Sequence, residues 1–255
     1  MSNQGNFADQ AALVTGAASG IGAACTRWLD ANGIAELVLV DIDEAALDAI
    51  TVECETRRFA GDVADPVLWQ RIENELHGLD FAVLNAGIAD AGPIAEIDFA
   101  AWRKLMAVNL DGMMLSLRCA LRIMQPQGSG SVVMTASAGG LKAEPGTAAY
   151  GASKAAVIQM AKVAAREAAP FGVRVNAIAP GGVDTPIWNA VPMFGEMVAQ
   201  AGSREAAIAE MGRIATPLGR YASADEIAAQ IGFLLSDTAA TITGAVLVSD
   251  GGYSA

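Results

Sequence analysis

A tyrosine and a lysine stand four residues apart in Tyr150-Gly151-Ala152-Ser153-Lys154, with Ser137 thirteen residues upstream. On a helix that spacing puts the phenol and the ammonium on one face, one turn apart. A positive charge beside a phenol favours phenolate. The free phenol titrates near ~10, and each tenfold gain in acidity takes about 1.4 kcal/mol of preferential stabilisation. Bringing it to neutrality asks about 4 kcal/mol of the lysine and any bound cation, attainable in a partly dry site. A phenol tuned this way can protonate a carbonyl oxygen or deprotonate an alcohol. Alone, Tyr-x-x-x-Lys is more often a solvated helix pair, so its meaning depends on what accompanies it.

The apolar run Ala11-Ala12-Leu13-Val14 reads as a buried strand, followed by Thr15-Gly16-Ala17-Ala18-Ser19-Gly20-Ile21-Gly22 and a helical pattern from Ala23 to Asn32. In this strand, glycine turn and helix, Gly16 suits the tight turn. Gly20 admits backbone N–H groups to a pyrophosphate, and Gly22 allows close helix packing. The helix N-terminus then faces the phosphates with its partial positive charge. The spacing Gly-x-x-x-Gly-x-Gly is looser than the usual dinucleotide fingerprint, and an ordinary glycine-rich turn is the competing reading. A second strand, Glu36 to Val40, ends in Asp41. A carboxylate there can accept from an adenosine ribose and would repel a 2′-phosphate. Ala18, Ser19, Ile42 and Asp43 supply no cation beside it, which points to NAD(H) rather than NADP(H). The alternative is that Asp41 caps a helix from Asp43 to about Thr51.

These groups need a scaffold. Further strand-like runs occur at Arg57–Ala60, Phe81–Leu84, Ser131–Met134, Val173–Asn176 and Ala245–Val248, alternating with helical patterns. Such alternation predicts an α/β domain of about seven parallel strands with right-handed helical crossovers on both faces. At 53% hydrophobic residues the 255-residue chain has enough apolar material to cover the sheet, and no linker or repeat divides it. Helices are expected from Asp65-Pro66 to about Leu76, and from Asp98 through about Met124 with an irregularity near Asn109 and Gly112. Others should run from Tyr150 to Ala169, and after the capping box of Ser223 and Glu226.

Sixteen basic and 28 acidic residues give a net charge of −12 with no basic stripe, which argues against nucleic acid as a partner. No apolar run is long enough for a signal peptide or a bilayer span, so a cytoplasmic location without membrane contact is expected. Cys25, Cys54 and Cys119 are widely spaced and read as reduced packing thiols in helices or at their edges; His77 stands alone, so no metal site is expected.

Taken together the chain resembles the short-chain dehydrogenase/reductase family over nearly its whole length. The match runs in order and spacing through Thr15-Gly-x-x-x-Gly-x-Gly22, Asp41, Asp62-Val63, Asn85-Ala86-Gly87, Asn109, Ser137, Tyr150-x-x-x-Lys154 and Pro180-Gly181. The resemblance implies one Rossmann-type doubly wound domain over 1–255, with a substrate lid over about 186–217. It implies that Gly16, Ser19, Gly20, Ile21, Gly22 and Asp41 hold the cofactor, Asp62 accepts from the adenine amino group, and Val63 borders the same site. Asn85, Ala86 and Gly87 would lie against the adenosine ribose. Tyr150 is the implied acid/base, and Lys154 lowers its pKa and holds the nicotinamide ribose. Ser137 orients the substrate oxygen, and Asn109 interrupts its helix to hold a water in a proton relay with Lys154. Beyond Pro180 and Gly181, the Val183 backbone and the Thr185 hydroxyl are expected on the carboxamide.

Specificity is less legible. Trp188, Val191, Met193, Phe194 and Met197 either cover an apolar substrate or pack a core, while Leu141, Ala143, Glu144, Ile88 and Asp90 are expected on the opposite wall. No arginine is obviously placed to clamp a substrate carboxylate, and only Lys142 and Arg213 are left open for that role. The expected activity is NAD-dependent interconversion of a mainly apolar secondary alcohol and ketone. A 3-oxoacyl-carrier-protein-type reductase and a non-catalytic dinucleotide-binding scaffold are the alternatives. Asp41 and the acidic charge disfavour the first of these, and the intact Ser137, Tyr150 and Lys154 disfavour the second. The family resemblance implies a homotetramer. The apolar stripes Met113, Met114, Leu117, Leu121 and Val157, Met160, Val163 are candidates for its contacts.

Overall fold

In the computed structural model, which describes residues 7–191 and 193–255, each run read as a strand is one. The first half runs β1 (Ala11–Thr15), α1 (Gly20–Ala31), β2 (Glu36–Asp41), α2 (Glu44–Asp48), β3 (Glu55–Ala60), α3 (Pro66–Glu75) and β4 (Phe81–Leu84). Next come α4 (Phe99–Met106), a π-helical segment (Ala107–Gly112), α5 (Met113–Gln127), β5 (Gly130–Thr135), α6 (Ala148–Ala168) and β6 (Val173–Pro180). The chain closes with β7 (Val183–Asp184), α7 (Phe194–Ala201), α8 (Arg204–Ala215), β8 (Ala222–Ser223), α9 (Ala224–Leu235) and β9 (Val246–Ser249).

Among the described residues seven strands form one parallel sheet in the order β3-β2-β1-β4-β5-β6-β9. From β1 the chain moves outward to β3, then returns to place β4 on the other side of β1. That reversal opens a crevice at the carboxyl ends of β1 and β4, where such sheets bind ligands. Central strands are buried on both faces, which is why they read as unbroken Val, Leu and Ala runs. Alternate residues serve opposite layers. Leu13, Val38, Val40 and Leu84 pack with Trp69, Met113, Leu117 and Val157, whereas Val14, Leu37, Leu39 and Val83 pack with Leu29, Ile227 and Ile231. β3, at the edge, carries Glu55, Arg57 and Arg58, charges that discourage further pairing.

Several boundaries differ from expectation. α1 begins at Gly20, so the glycine turn itself forms the first helical turn, with Ser19 at the N-cap. Asp43, not Asp41, caps α2 through the Ala46 N–H. That helix stops near Ala49 because Arg58 takes up the Leu47 and Ile50 carbonyls at 3.2 and 2.9 Å. α6 starts two residues early, and Pro170 sits in a short 3-10 turn after it. Cys54 lies in a turn before β3 rather than in a helix. Of the two apolar stripes, Met113, Leu117 and Val157 face the sheet, while Met114 and Val163 are exposed.

Candidate active site

The glycine turn is shaped by close approach. Gly16 and Gly20 have φ of 65° and 52°, a region that disfavours side chains. A Cβ on Gly22 would lie 1.9 Å from the Gly16 carbonyl oxygen, so the first turn of α1 can fold back on the loop only with glycine there. The Ser19 side chain makes no capping bond. The Asp41 carboxylate accepts from the Ala18 N–H at 2.8 Å and the Asp43 N–H at 3.1 Å, which holds it beside the turn. Across the crevice, Thr15 fastens the end of β4: its hydroxyl oxygen accepts from the Asn85 and Ala86 N–H groups at 2.8 and 3.0 Å. Strand ends, a glycine cradle and a 12-residue helix N-terminus therefore converge as a dinucleotide requires.

The reacting groups come from α6 and the end of β5. Lys154 is buried and donates to the Thr135 carbonyl at 2.8 Å, with its nitrogen 5.7 Å from the centre of the Tyr150 ring. Tyr150 is half-buried, and the Ser137 hydroxyl hydrogen-bonds its phenol. The sequence led us to expect that Lys154 lowers the phenol. Instead burial dominates and pushes Tyr150 up, the bond from Ser137 working the other way, while burial draws Lys154 down to about 8. Two groups leaving water together each favour their neutral form.

Asn109 does interrupt its helix, within the π-helical segment, and its side chain is fully buried. The amide oxygen accepts from the Ile88 N–H at 2.8 Å, and its nitrogen donates to the Ile88 carbonyl at 2.9 Å and to Ser153 Oγ at 3.2 Å. Ser153 donates in turn to the Tyr150 carbonyl at 2.7 Å, so Asn109 ties the Gly87 turn to the first turn of α6. A Cβ on Gly87 would meet Asn109 Oδ1 at 3.3 Å and Lys154 Nζ at 3.5 Å, so this turn runs against both.

A cavity of about 400 Å³ joins these parts. Gly16, Ser19, Gly20, Ile21, Asn85, Ala86, Gly87, Ser137, Tyr150, Lys154, Pro180, Gly181, Val183 and Thr185 line it. Gly22, Asp41, Asp62, Val63 and Asn109 are not among its lining residues. Asp62 is exposed and accepts from the Ala64 N–H, and the Val63 carbonyl is taken by the Trp69 indole at 2.7 Å. On the candidate lid, Ile187, Trp188 and Val191 reach the cavity. Phe194 is instead the centre of a small separate core with Met197 against it, and Met193 is exposed. Opposite, Glu144 and Asp90 line the cavity, but Ile88, Leu141 and Ala143 do not; Leu141 projects into solvent. Neither Lys142, which donates to the Tyr253 carbonyl at 2.9 Å, nor Arg213, paired with Glu210 at 2.7 Å, lines the cavity where a carboxylate would be clamped.

Sequence reasoning gave no site role to Thr15, Thr135, Tyr221, Tyr253 or Arg204, while Trp188, which it left between covering a substrate and packing a core, does both. The Trp188 indole donates to the Val183 carbonyl at 2.8 Å and stacks on Tyr221 at 5.6 Å. Arg204, the first residue of α8, pairs with Asp184 and donates to the Thr185 carbonyl at 2.8 Å. The Thr15 and Thr135 contacts follow from strand register; those of Tyr221, Tyr253 and Arg204 join segments apart in sequence, without a local signature. Among the described residues no helix is long and apolar enough to cross a membrane, and no three His, Cys, Asp or Glu side chains group to hold a metal ion.

Residues 16–254 match the family model described as enoyl-(acyl carrier protein) reductase. The chain is 39% identical to cis-4-hydroxycyclohexanecarboxylate dehydrogenase of Sinomonas cyclohexanicum, over 98% of each chain. Its structure is similar to that of levodione reductase, with a TM-score of 0.86 and 34% identity over 97% of this chain and 98% of that one. It is also similar to an NAD+-bound xylitol dehydrogenase, with a TM-score of 0.83 and 28% identity over 95% and 98% of the two chains. Matches of this extent, on a sheet whose crevice fits a nicotinamide dinucleotide, show that the chain belongs to the short-chain dehydrogenase/reductase family, as an oxidoreductase acting between secondary alcohols and ketones.

Proposed function

We propose that the protein is an NAD(H)-dependent dehydrogenase that interconverts a small, mainly apolar secondary alcohol and its ketone, with Tyr150 as general acid/base. The observation that carries this reading is the convergence of Ser137, Tyr150 and Lys154 on a cavity whose other end is the glycine turn. A bound nicotinamide supplies the hydride acceptor or donor. The protein's part is to orient and to move the proton. Ser137 positions the substrate oxygen at the phenol. Tyr150 takes the hydroxyl proton as the carbinol hydrogen leaves as hydride, and returns it in the opposite direction. Burial holds the phenol above its ordinary range and the bond from Ser137 opposes it, so added positive charge, which an oxidised nicotinamide held beside Lys154 would supply, would ease loss of its proton.

Gly16, Ser19, Gly20, Ile21 and Gly22 would hold the pyrophosphate, with Asp41, Asp62, Val63, Asn85, Ala86 and Gly87 around the adenosine. Lys154 would hold the nicotinamide ribose, and Pro180, Gly181, Val183 and Thr185 would flank the carboxamide. The Asp41 carboxylate beside the Ala18 N–H supports NAD(H), since it would repel a 2′-phosphate. Ile187, Trp188 and Val191 support a substrate with an apolar body, under a lid spanning about 186–217. The acidic net charge and the carboxylates at the cavity disfavour an acidic carrier protein. Three free cysteines, with no disulfide among them, support a cytoplasmic protein. Exposed Phe99, Met114 and Val163 on α4, α5 and α6 are consistent with a homotetramer, which a monomer in sedimentation would rule out. The function is tested by initial rates with NAD+ and NADP+ across secondary alcohols. NAD+-linked turnover is expected, and binding of both cofactors without turnover would favour a scaffold.

A further inference from the structure

One wall of the cavity is built from the loop between Ser137 and Tyr150, which contributes Glu144 and Thr147, together with Asp90 and the near-terminal Tyr253. The protons on this wall are already committed. Thr147 donates its hydroxyl to the Glu144 main-chain oxygen at 2.9 Å. Tyr253 is hydrogen-bonded to the Glu144 side chain. Burial, and the Glu144 carboxylate beside it, push that phenol up to about 12, so it keeps its proton, directed at Glu144. Asp90 and Glu144, as carboxylates, have only lone pairs to offer. The one cation of the loop is not part of the cavity lining: Lys142 donates to the Tyr253 carbonyl at 2.9 Å, lies 4.1 Å over its ring, and stands 3.6 Å from Glu144. The side chains that line this wall are therefore set to accept hydrogen bonds rather than to give them. Facing it are the apolar Ile187, Trp188 and Val191.

We infer that the substrate is neutral and carries, besides the carbinol that reacts at Ser137 and Tyr150, a second hydroxyl that donates to the Glu144–Tyr253 pair: a diol on a mainly apolar frame. This rests on the dehydrogenase reading above and adds the substrate class to it. A hydroxyl fits because it brings the proton the wall lacks. A ketone or ether oxygen in the same place would set lone pair against lone pair. A carboxylate would meet two acidic side chains, in a chain of net charge −12, with Lys142 outside the cavity lining. A plain alcohol would leave the acceptors unpaired on closure, which is how a polar pocket rejects the analogue that lacks a hydroxyl.

The test is a comparison of kcat/KM, with NAD+, for cyclohexanol, the three positional cyclohexanediols and a hydroxycyclohexanecarboxylate. It is run on the wild type, Glu144→Gln and Tyr253→Phe. The best diol should exceed cyclohexanol by about tenfold or more, with the carboxylate poorest. Each variant should lower the diol-to-monoalcohol ratio about fivefold or more, mainly through KM, and Glu144→Gln should raise relative use of the carboxylate. Cyclohexanol oxidised as well as every diol, or a carboxylate preferred, overturns the inference while leaving the dehydrogenase reading standing. Equal losses on diol and monoalcohol in both variants would make the pair merely structural and also overturn it. If none of these alcohols reduces NAD+, both readings fall together.

Discussion

The Lys154 ammonium donates to the main-chain carbonyl of Thr135 at 2.8 Å, which fixes the amine at the end of β5 facing the Tyr150 ring. This position is unfavourable for a charge. Burial draws the amine from 10.5 to about 8, a preference of about 3 kcal/mol for the neutral form. The folded pKa lies below the unfolded one, so between those two values the unfolded chain binds more protons and stability rises with pH; at neutral pH the penalty is present in full. Lys154→Met should therefore lose alcohol oxidation by about 10²-fold or more while gaining about 1–3 kcal/mol against denaturant at neutral pH. Denaturant melts across the alkaline range check this. A variant less stable than the wild type at neutral pH would show that the Thr135 bond outweighs the burial.

Asp41 accepts from Ala18 and Asp43 and so stands beside the glycine turn as a fixed negative charge. Asp41→Asn keeps an acceptor for the Ala18 N–H and removes the charge. The ratio of kcat/KM with NADP+ to that with NAD+ should rise by about tenfold or more, since like charges at contact cost about 1 kcal/mol even in water. An unchanged ratio would remove the charge argument for NAD(H).

Gly22 carries the tightest contact of the turn. Gly22→Ala drives a methyl into the Gly16 carbonyl 1.9 Å away, which should destabilise the fold by about 1–3 kcal/mol and weaken dinucleotide binding. Gly195→Ala, at a position with nothing within 4 Å, is the control and should change neither. Calorimetry and cofactor titration separate the two variants.

These residues also show what a sequence can carry. Gly16, Gly20 and Gly22 are legible because local backbone geometry excludes side chains there. The central strands β1, β2, β4 and β5 are legible because a sheet buried on both faces demands nearly unbroken apolar runs. The helix irregularity at Asn109 was readable from a polar residue and a glycine inside an apolar helix. The direction of the Tyr150 pKa was not, since it depends on how much water the assembled fold excludes, and spacing alone does not report that. Nor were Tyr253 beside Glu144 or Arg204 beside Asp184, whose partners are brought together only by the fold. Phe194 and Trp188 show the same limit within one apolar segment: one fills a core and the other reaches the cavity.

Arg204 joins the candidate lid to the segment beyond Pro180, through Asp184 and the Thr185 carbonyl, with its guanidinium 5.5 Å from the Phe194 ring. Arg204→Ala should raise KM several-fold more than it lowers kcat and make residues 186–217 more susceptible to limited proteolysis. Arg204→Lys, which cannot fork to both partners, should recover only part of the loss. Equal effects on KM and kcat, with unchanged proteolysis, would detach the lid from this contact.

The most direct test of hydride transfer assisted by Tyr150 is isotopic. A diol deuterated at the reacting carbinol carbon is incubated with NAD+ and the enzyme, and the reduced cofactor is examined for deuterium at the nicotinamide ring. Transfer of the label by the wild type, slowed about 10³-fold in a folded Tyr150→Phe variant, is the predicted result. Oxidised alcohol with no label in the cofactor, or undiminished transfer in the variant, would contradict it.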